Sequence, residues 1–306
     1  MHSAIRRTLA AAAVLLLPLT AVGCTETADR TPDPAPGAAQ EAPDSLPFPS
    51  EQADLLSSAL DDYADGTDTE FSAAVYESST GQAWHYNPDN SYLEASLVKV
   101  PILLTLLRQA TDEQRELTPE EEELAVMMIE YSNNDSTTAL YEAVGGAEEL
   151  GRTYDLLGVT RTEATDIWGA NDTGVEDQLR IARAVLDGVD WINGSLHGFA
   201  VELMENVDAG QSWGIGAGLP AFSAEIALKN GWLQDDDNVW NVGSMGFVRA
   251  GDNNDYAVVV LTSGTSTMED GVAVVEEVAG VINTFESTGT AGTADTEVPV
   301  WRVSGP

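Results

Sequence analysis

Segments with strand character stand at the two ends of the foldable part of this chain, with a long helical stretch between them. Residues 71–78 and 83–86 read as two strands joined by the turn Ser79-Thr80-Gly81-Gln82. The next strand-like runs are 224–232, 240–249 and 256–262, rich in Val and aromatic residues. Gly251-Asp252-Asn253-Asn254 supplies the turn between the last two. A lone two-stranded hairpin is marginal in water. The early pair therefore has to join the late three. This predicts one five-stranded antiparallel sheet in an α/β protein of the α+β type.

Helical patterns account for the rest. One begins near Ser50, read as its N-cap, with apolar positions at Ala53, Leu56, Leu60 and Tyr63. Another runs over 268–285. These terminal helices are expected to flank the sheet. Between them, 101–109 is strongly apolar and predicts a buried helix. Thr118-Pro119-Glu120-Glu121 combines a cap, an early proline and acids that suit a helix N-terminus. Helices over 135–143, 147–157, 175–186 and 196–207 follow, the first closed by Gly145-Gly146. The folded domain is thus expected over 48–286, with a sheet lobe of 48–92 and 222–286 and an all-helical lobe of 93–221. Residues 287–306, rich in Gly, Thr and Ala, read as a flexible tail.

The first residues read as a targeting signal. Arg6 and Arg7 precede an apolar run over 9–22, too short for a confident membrane span, which ends at Ala21-Val22-Gly23-Cys24. Cys24 is the only cysteine, so no disulfide forms within the chain. The segment resembles a bacterial lipoprotein signal over 1–23, cleaved before Cys24, which would be lipidated. Ala21 stands where that pattern favours Leu. Residues 24–47, rich in Pro, Ala, Thr and Asp, then form a disordered tether. The expected location is the outer face of the cell membrane, held through the lipid anchor. A formal charge of −38 argues against nucleic acid as a partner. The domain is expected to be a monomer.

Of 13 cationic residues only Lys99 and Lys229 are lysines. Lysine can lose its proton when desolvated, whereas arginine effectively cannot. Lys99 lies three residues after Ser96 at the start of a helix, which places both side chains on one face. A serine beside a desolvated lysine is a nucleophile with a base. Two further short motifs stand at the joints of the plan. Ser132-Asn133-Asn134 lies between two helices, and Lys229-Asn230-Gly231 lies on the first late strand. Each motif alone is common, and Ser132 and Asn134 are also helix-capping types.

In this order and setting the three motifs resemble the S-x-x-K, S-D-N and K-T-G set of class A β-lactamases and penicillin-binding proteins. The residues around Ser96 from Tyr92 to Pro101, those from Met127 to Gly146, and Gln211-Ser212-Trp213-Gly214-Ile215 are similar to that family too. The resemblance implies the β-lactamase/transpeptidase fold and acylation of Ser96. It also implies that Lys99 takes the serine proton, with its pKa lowered by burial and by Lys229. Ser132 would relay a proton to the leaving nitrogen, Asn134 would bind the substrate amide, and Lys229 would attract the substrate carboxylate. Gly231 belongs to the third motif, and the backbone N–H of Trp232 would be the second oxyanion donor, after that of Ser96.

Two departures qualify this. Asn230 stands where the family has Thr or Ser, and its amide would donate to the carboxylate in place of the hydroxyl. Class A β-lactamases also carry a Glu, followed by an Asn, in a long loop that activates the deacylating water. The matching stretch here, 158–173, is short. Arg161-Thr162-Glu163 fits an Arg-x-Glu pattern in one register, with Asp166 a further acid. In another register Arg161 stands at an earlier family Arg and no Glu falls at the base. The expected activity is a serine hydrolase acting on a β-lactam or a peptidoglycan-like peptide, with slow deacylation. The alternative is a non-catalytic cell-wall- or β-lactam-binding lipoprotein that keeps the fold. No cofactor and no metal are implied: the histidines are His2, His85 and His197, and no G-x-S-x-G, P-loop or dinucleotide fingerprint occurs.

Overall fold

Five antiparallel strands and one short parallel strand make the main sheet, in the order β1 (Leu46–Pro47), β3 (Gln82–Tyr86), β2 (Glu70–Glu77), β8 (Asp255–Thr265), β7 (Trp240–Arg249), β6 (Glu225–Gln234). The computed structural model describes residues 45–220, 223–251 and 254–289, which fall within the larger of the chain's two units, 39–306. The signal segment, Cys24, most of the tether, the tail beyond 289, and Asp252 and Asn253 of the expected turn lie outside the described residues.

The strand the sequence does not announce is β1 (Leu46–Pro47), which pairs parallel with β3 (Gln82–Tyr86). Leu46 N–H donates to Gly81 O and Phe48 N–H to Ala83 O. Pro47 between them has no N–H to lose, which suits an edge strand. Helix α1 (Ser50–Ala64) follows. Its N-cap is Pro49, with no side-chain cap, so Ser50 is the first helical residue rather than the cap. Strand β2 (Glu70–Glu77) pairs with β3 across the expected hairpin and, on its other side, with β8 (Asp255–Thr265). Strands β6 (Glu225–Gln234) and β7 (Trp240–Arg249) complete the sheet.

Both faces of the sheet are covered, so its central strands read as continuous apolar runs rather than as alternation. Phe71, Val75, Val258 and Val260 face α1 and α8 (Met268–Thr288), meeting Leu56, Leu60, Val278 and Ile282. Ala74, Val259, Leu261 and Phe247 face the other way, into a core shared with the helical region. There α6 (Val175–Leu186) lies against β2, β7 and β8, so one helix of the expected helical lobe is in fact the second cover of the sheet. The same region also holds a two-stranded ribbon, β4 (Tyr92–Leu93) with β5 (Asp172–Thr173), and is not all helical.

The remaining helices surround α2 (Lys99–Asp112), which is buried along almost its whole length. Helix α3 (Pro119–Ile129) starts at a reciprocal capping box between Thr118 and Glu121, as the sequence predicts. Helix α4 (Asn134–Val144) is capped by Asn133, whose side chain accepts from Ser136 N–H, and is closed by Gly145 at φ 101°. Helices α5 (Gly146–Leu157) and α7 (Gly194–Glu205) complete the set.

Candidate active site

Ser96 sits in a single 3-10 turn, Ala95–Val98, that feeds directly into α2. The turn is held by the backbone on both sides. Glu94 N–H donates to Asn171 O, Ala95 N–H to Gly169 O, and Leu97 N–H to Glu94 O. Ala95 has φ 50°, a left-handed conformation that a residue with a Cβ keeps only when its surroundings over-determine it. Between these committed amides the Ser96 N–H has no acceptor among the described residues.

Lys99 opens α2, one turn after Ser96, and its Nζ lies 2.9 Å from Ser96 Oγ. The same nitrogen lies 2.7 Å from Ser132 O, 3.0 Å from Ser132 Oγ and 2.9 Å from Asn134 Oδ1. Ser132 ends the link between α3 and α4 at φ 54°. The Asn133 cap beside it fixes where that link stops. Helix capping and the presentation of Asn134 thus fall on adjacent residues. From the sheet side, Lys229 of β6 places Nζ 3.0 Å from Ser132 Oγ and donates to Asn230 O at 2.9 Å. The structure brings Ser96, Lys99, Ser132, Asn134 and Lys229 into one cluster.

Ser132 O and Asn134 Oδ1 can only accept and take two N–H groups of Lys99; its third position meets the Ser96 hydroxyl, as an N–H in the charged form and as a lone pair in the neutral form. Burial pushes Lys99 down to about 8. Lys229 is held well below the usual lysine range by burial and then by the charge of Lys99. No ion pair among the described residues engages either lysine. Ser132 Oγ lies within reach of both amines.

The third motif behaves differently from its first two members. Lys229 turns into the cluster, but Asn230 is turned away: its Nδ2 donates to Gln211 O at 2.8 Å and to Trp213 O at 2.9 Å. Both N–H groups are therefore taken, and the amide does not stand ready to donate to a carboxylate. Its Oδ1 is buried without a partner. Gly231 is where β6 touches the nucleophile turn, since a Cβ there would lie 3.0 Å from Leu97 N and 3.1 Å from Glu94 O. Trp232 follows it on β6, half-buried, with its ring 6.0 Å from that of Trp213.

The acids of the 158–173 stretch do not join the cluster. Asp177 of α6 accepts from the N–H groups of Thr160, Arg161 and Thr162 and from Thr162 Oγ1. That pins Thr162 inward and leaves Glu163 exposed. Arg161 donates to the carbonyls of Pro88, Asp89 and Asn90. Asp166 is exposed as well. Among the described residues no hydrogen bond links Glu163 or Asp166 to Ser96, Lys99 or Ser132. The loop instead presents Trp168, whose ring centroid is 5.4 Å from Lys99 Nζ and whose Nε1–H donates to Thr138 Oγ1 at 3.2 Å. Motif reading passes over Trp168, although a tryptophan beside Gly169 in a short loop is a visible signal. It also passes over Glu94, the one acid in the run from Tyr92 to Val98.

Residues 55–121 and 117–285 match the model of the beta-lactamase enzyme family. The chain belongs to that family. No curated protein matches it. A class A β-lactamase from Bacteroides cellulosilyticus is 16% identical, with 77% of this chain and 99% of that one covered at a TM-score of 0.68. The structure of PBP-A is 18% identical, covering 80% and 99% at a TM-score of 0.66. A mutant of PBP-A, in an acyl-enzyme complex with penicillin G, is 20% identical, covering 80% and 100% at a TM-score of 0.64. At these identities the likeness establishes the fold, and the fold is that of the β-lactamases and penicillin-binding proteins.

Proposed function

We propose that this β-lactamase family member is a serine hydrolase acylated at Ser96 by β-lactams or related amides, and that it releases the acyl group slowly. The observation that carries the first half is the 2.9 Å contact between Ser96 Oγ and a buried Lys99 whose pKa burial lowers to about 8. Lys99 takes the hydroxyl proton as Ser96 Oγ bonds to the carbonyl carbon. The oxygen anion that forms lies against the free N–H of Ser96 and that of Trp232. The carbon–nitrogen bond then breaks as Ser132 gives its proton to the nitrogen, and Lys99 returns a proton to Ser132 across 3.0 Å. Lys229 and Asn134 hold the substrate carboxylate and amide. The PBP-A acyl-enzyme with penicillin G supports this substrate class.

The second half rests on what surrounds Lys99. Hydrolysis of an acyl-enzyme needs a base that activates water on the open side of the ester. Glu163 is exposed, and the Trp168 ring lies over Lys99 where water would enter. One observation favours the second reading, a lipoprotein that binds without turnover: the Asn230 amide is committed to Gln211 and Trp213. A labelled penicillin separates the two. Covalent label on the wild type that is absent from Ser96→Ala supports acylation, and no label on the wild type refutes acylation by β-lactams. Following release of the label then measures turnover. We further propose that the domain works as a monomer outside the cell, tethered through lipid on Cys24. Membrane association unchanged by Cys24→Ser would refute the tether.

A further inference from the structure

Two residues before Ser96 lies a carboxylate that the mechanism above does not use. Glu94 is fully buried, and no arginine or lysine among the described residues pairs with it. Burying an acid without a cation is unfavourable unless hydrogen bonds replace its water. Three donors do so, each from a different segment. Tyr154 Oη of α5 lies 3.0 Å and 3.1 Å from the two oxygens. Gln178 Nε2 of α6 donates to Oε1 at 3.0 Å, and Asn171 Nδ2 donates to Oε2 at 2.9 Å.

Asn171 belongs to the loop that ends at β5. Its Oδ1 accepts from Thr165 Oγ1 at 2.8 Å, and its backbone oxygen accepts from Glu94 N–H at 2.8 Å. Two residues earlier, Gly169 O accepts from Ala95 N–H. Gly169 has φ 80°, and a Cβ on it would lie 3.0 Å from Ala95 O, so loop and turn are in backbone contact. Between Thr165 and Gly169 the loop carries Trp168, the ring over Lys99.

We propose that Glu94 is a positioning residue for Ser96: its carboxylate latches the 165–173 loop, through Asn171, onto the turn that carries the nucleophile. The latch keeps Ala95 in its left-handed conformation and keeps Trp168 over Lys99. It acts through other residues and touches no substrate. The proposal rests on the reading of Ser96 as the acylated serine.

The network accommodates both protonation states of Glu94. Asn171 and Gln178 donate to the carboxylate, while the Tyr154 hydroxyl can donate to it or, by rotating, accept from a protonated Glu94. Burial pushes Glu94 up to about 7, opposed by the three hydrogen bonds and assisted by Asp177 of α6. The other titratable groups facing it are Tyr154 of α5 and Tyr141 of α4, both raised by burial and thus phenols throughout this range. Asp166 bears on Tyr141 in turn. Because its pKa is raised in the latched state, Glu94 holds the loop most tightly below pH 7, and the latch loosens as pH rises through that value.

The test is hydrogen exchange across pH 5.5 to 8.5 on the full chain, corrected for intrinsic rates, alongside acylation by a labelled penicillin. In the wild type, protection of amides in 165–173 and at Glu94 and Ala95 should rise as pH drops through about 7, by up to about tenfold per pH unit. In Glu94→Gln it should not vary with pH. Acylation should slow by about tenfold or more in Glu94→Ala and largely recover in Glu94→Gln, which keeps an oxygen to accept from Asn171. The wild-type titration alone decides the matter if the variant does not fold. Protection that ignores pH in the wild type, or a pH response retained in Glu94→Gln, overturns the latch. Protection linked to pH with no labelling at all overturns acylation of Ser96 and leaves the loop latch in place.

Discussion

Replacing Gly231 with Ala puts one methyl group between the sheet and the turn that carries Ser96. Gly231 faces Gly243 across the β6–β7 ladder, and this bare pair leaves a flat place on the sheet that Leu97 fills. A Cβ on Gly231 would lie 3.0 Å from Leu97 N, 3.1 Å from Glu94 O and 3.1 Å from Leu97 Cγ. Two of these are backbone atoms that cannot swing aside, so turn and strand must part by a few tenths of an ångström. Reduced freedom of the unfolded chain favours Ala by about 0.4–1 kcal/mol. Overpacking a tight contact costs about 1–3 kcal/mol, so a net loss of about 1 kcal/mol is expected. The chemical effect is larger. The two proposed oxyanion donors, Ser96 N–H on the turn and Trp232 N–H on the strand, move apart. Removing such a donor outright costs about 100- to 1,000-fold, and a partial separation should slow acylation about tenfold to 100-fold. Time-resolved labelling with a β-lactam, read beside a melting curve, should show a slower approach to the same full labelling. A folded Gly231→Ala that acylates at the wild-type rate would refute the pairing of these two amides.

Three further outcomes follow from the same geometry. Acylation should rise with pH up to about 8 as Lys99 loses its proton, since only the free amine can accept one from Ser96; a rate flat from pH 6 to 9 would count against Lys99 as base. Trp168→Ala should open Lys99 to water, move that rise to higher pH and speed release of a bound label. Unchanged release would remove the ring from the account of slow turnover. Glu94 has a higher pKa folded than unfolded, so the folded state holds the proton more tightly. Its ionisation therefore lowers stability as pH rises from about 4.5 to about 7, by about 3 kcal/mol at most. The melting temperature of the wild type should fall over that window relative to Glu94→Gln, and parallel curves would refute the assignment.

The order of elements was legible because the central strands are buried on both faces and stand out as runs such as those around Val75 and Val258. Strand β1 was not, because two residues that include Pro47 carry no period and pair only once Gly81 and Ala83 are in place. The ribbon of β4 and β5 was hidden for the same reason. At the site, the scarcity of lysine singled out Lys99 and Lys229, and the spacing to Ser96 told most of the rest. Glu94 is different. Its surroundings come from Tyr154, Asn171 and Gln178, between 60 and 84 residues away, and no local pattern announces their meeting. Glu163 shows the converse. Its Arg-x-Glu setting suggests a base, yet the grip of Asp177 on three successive amides decides which side of the loop faces in. Asn230 likewise reads as part of a ligand site until the carbonyls of Gln211 and Trp213 are seen to claim it.

The two lysines lie together in a chain whose formal charge is −38. A small anion diffusing toward the cleft meets repulsion first, over a range set by the ionic atmosphere, about 10 Å at 0.1 M salt. It meets the amines only at contact. Added salt shortens the repulsive reach before it weakens the attraction at close quarters. Capture of an anionic β-lactam should therefore quicken with moderate ionic strength, the reverse of an electrostatically steered enzyme. The acidic exterior acts as a kinetic sieve, slowing the encounter with freely diffusing anions while leaving neutral and zwitterionic ligands a clear approach.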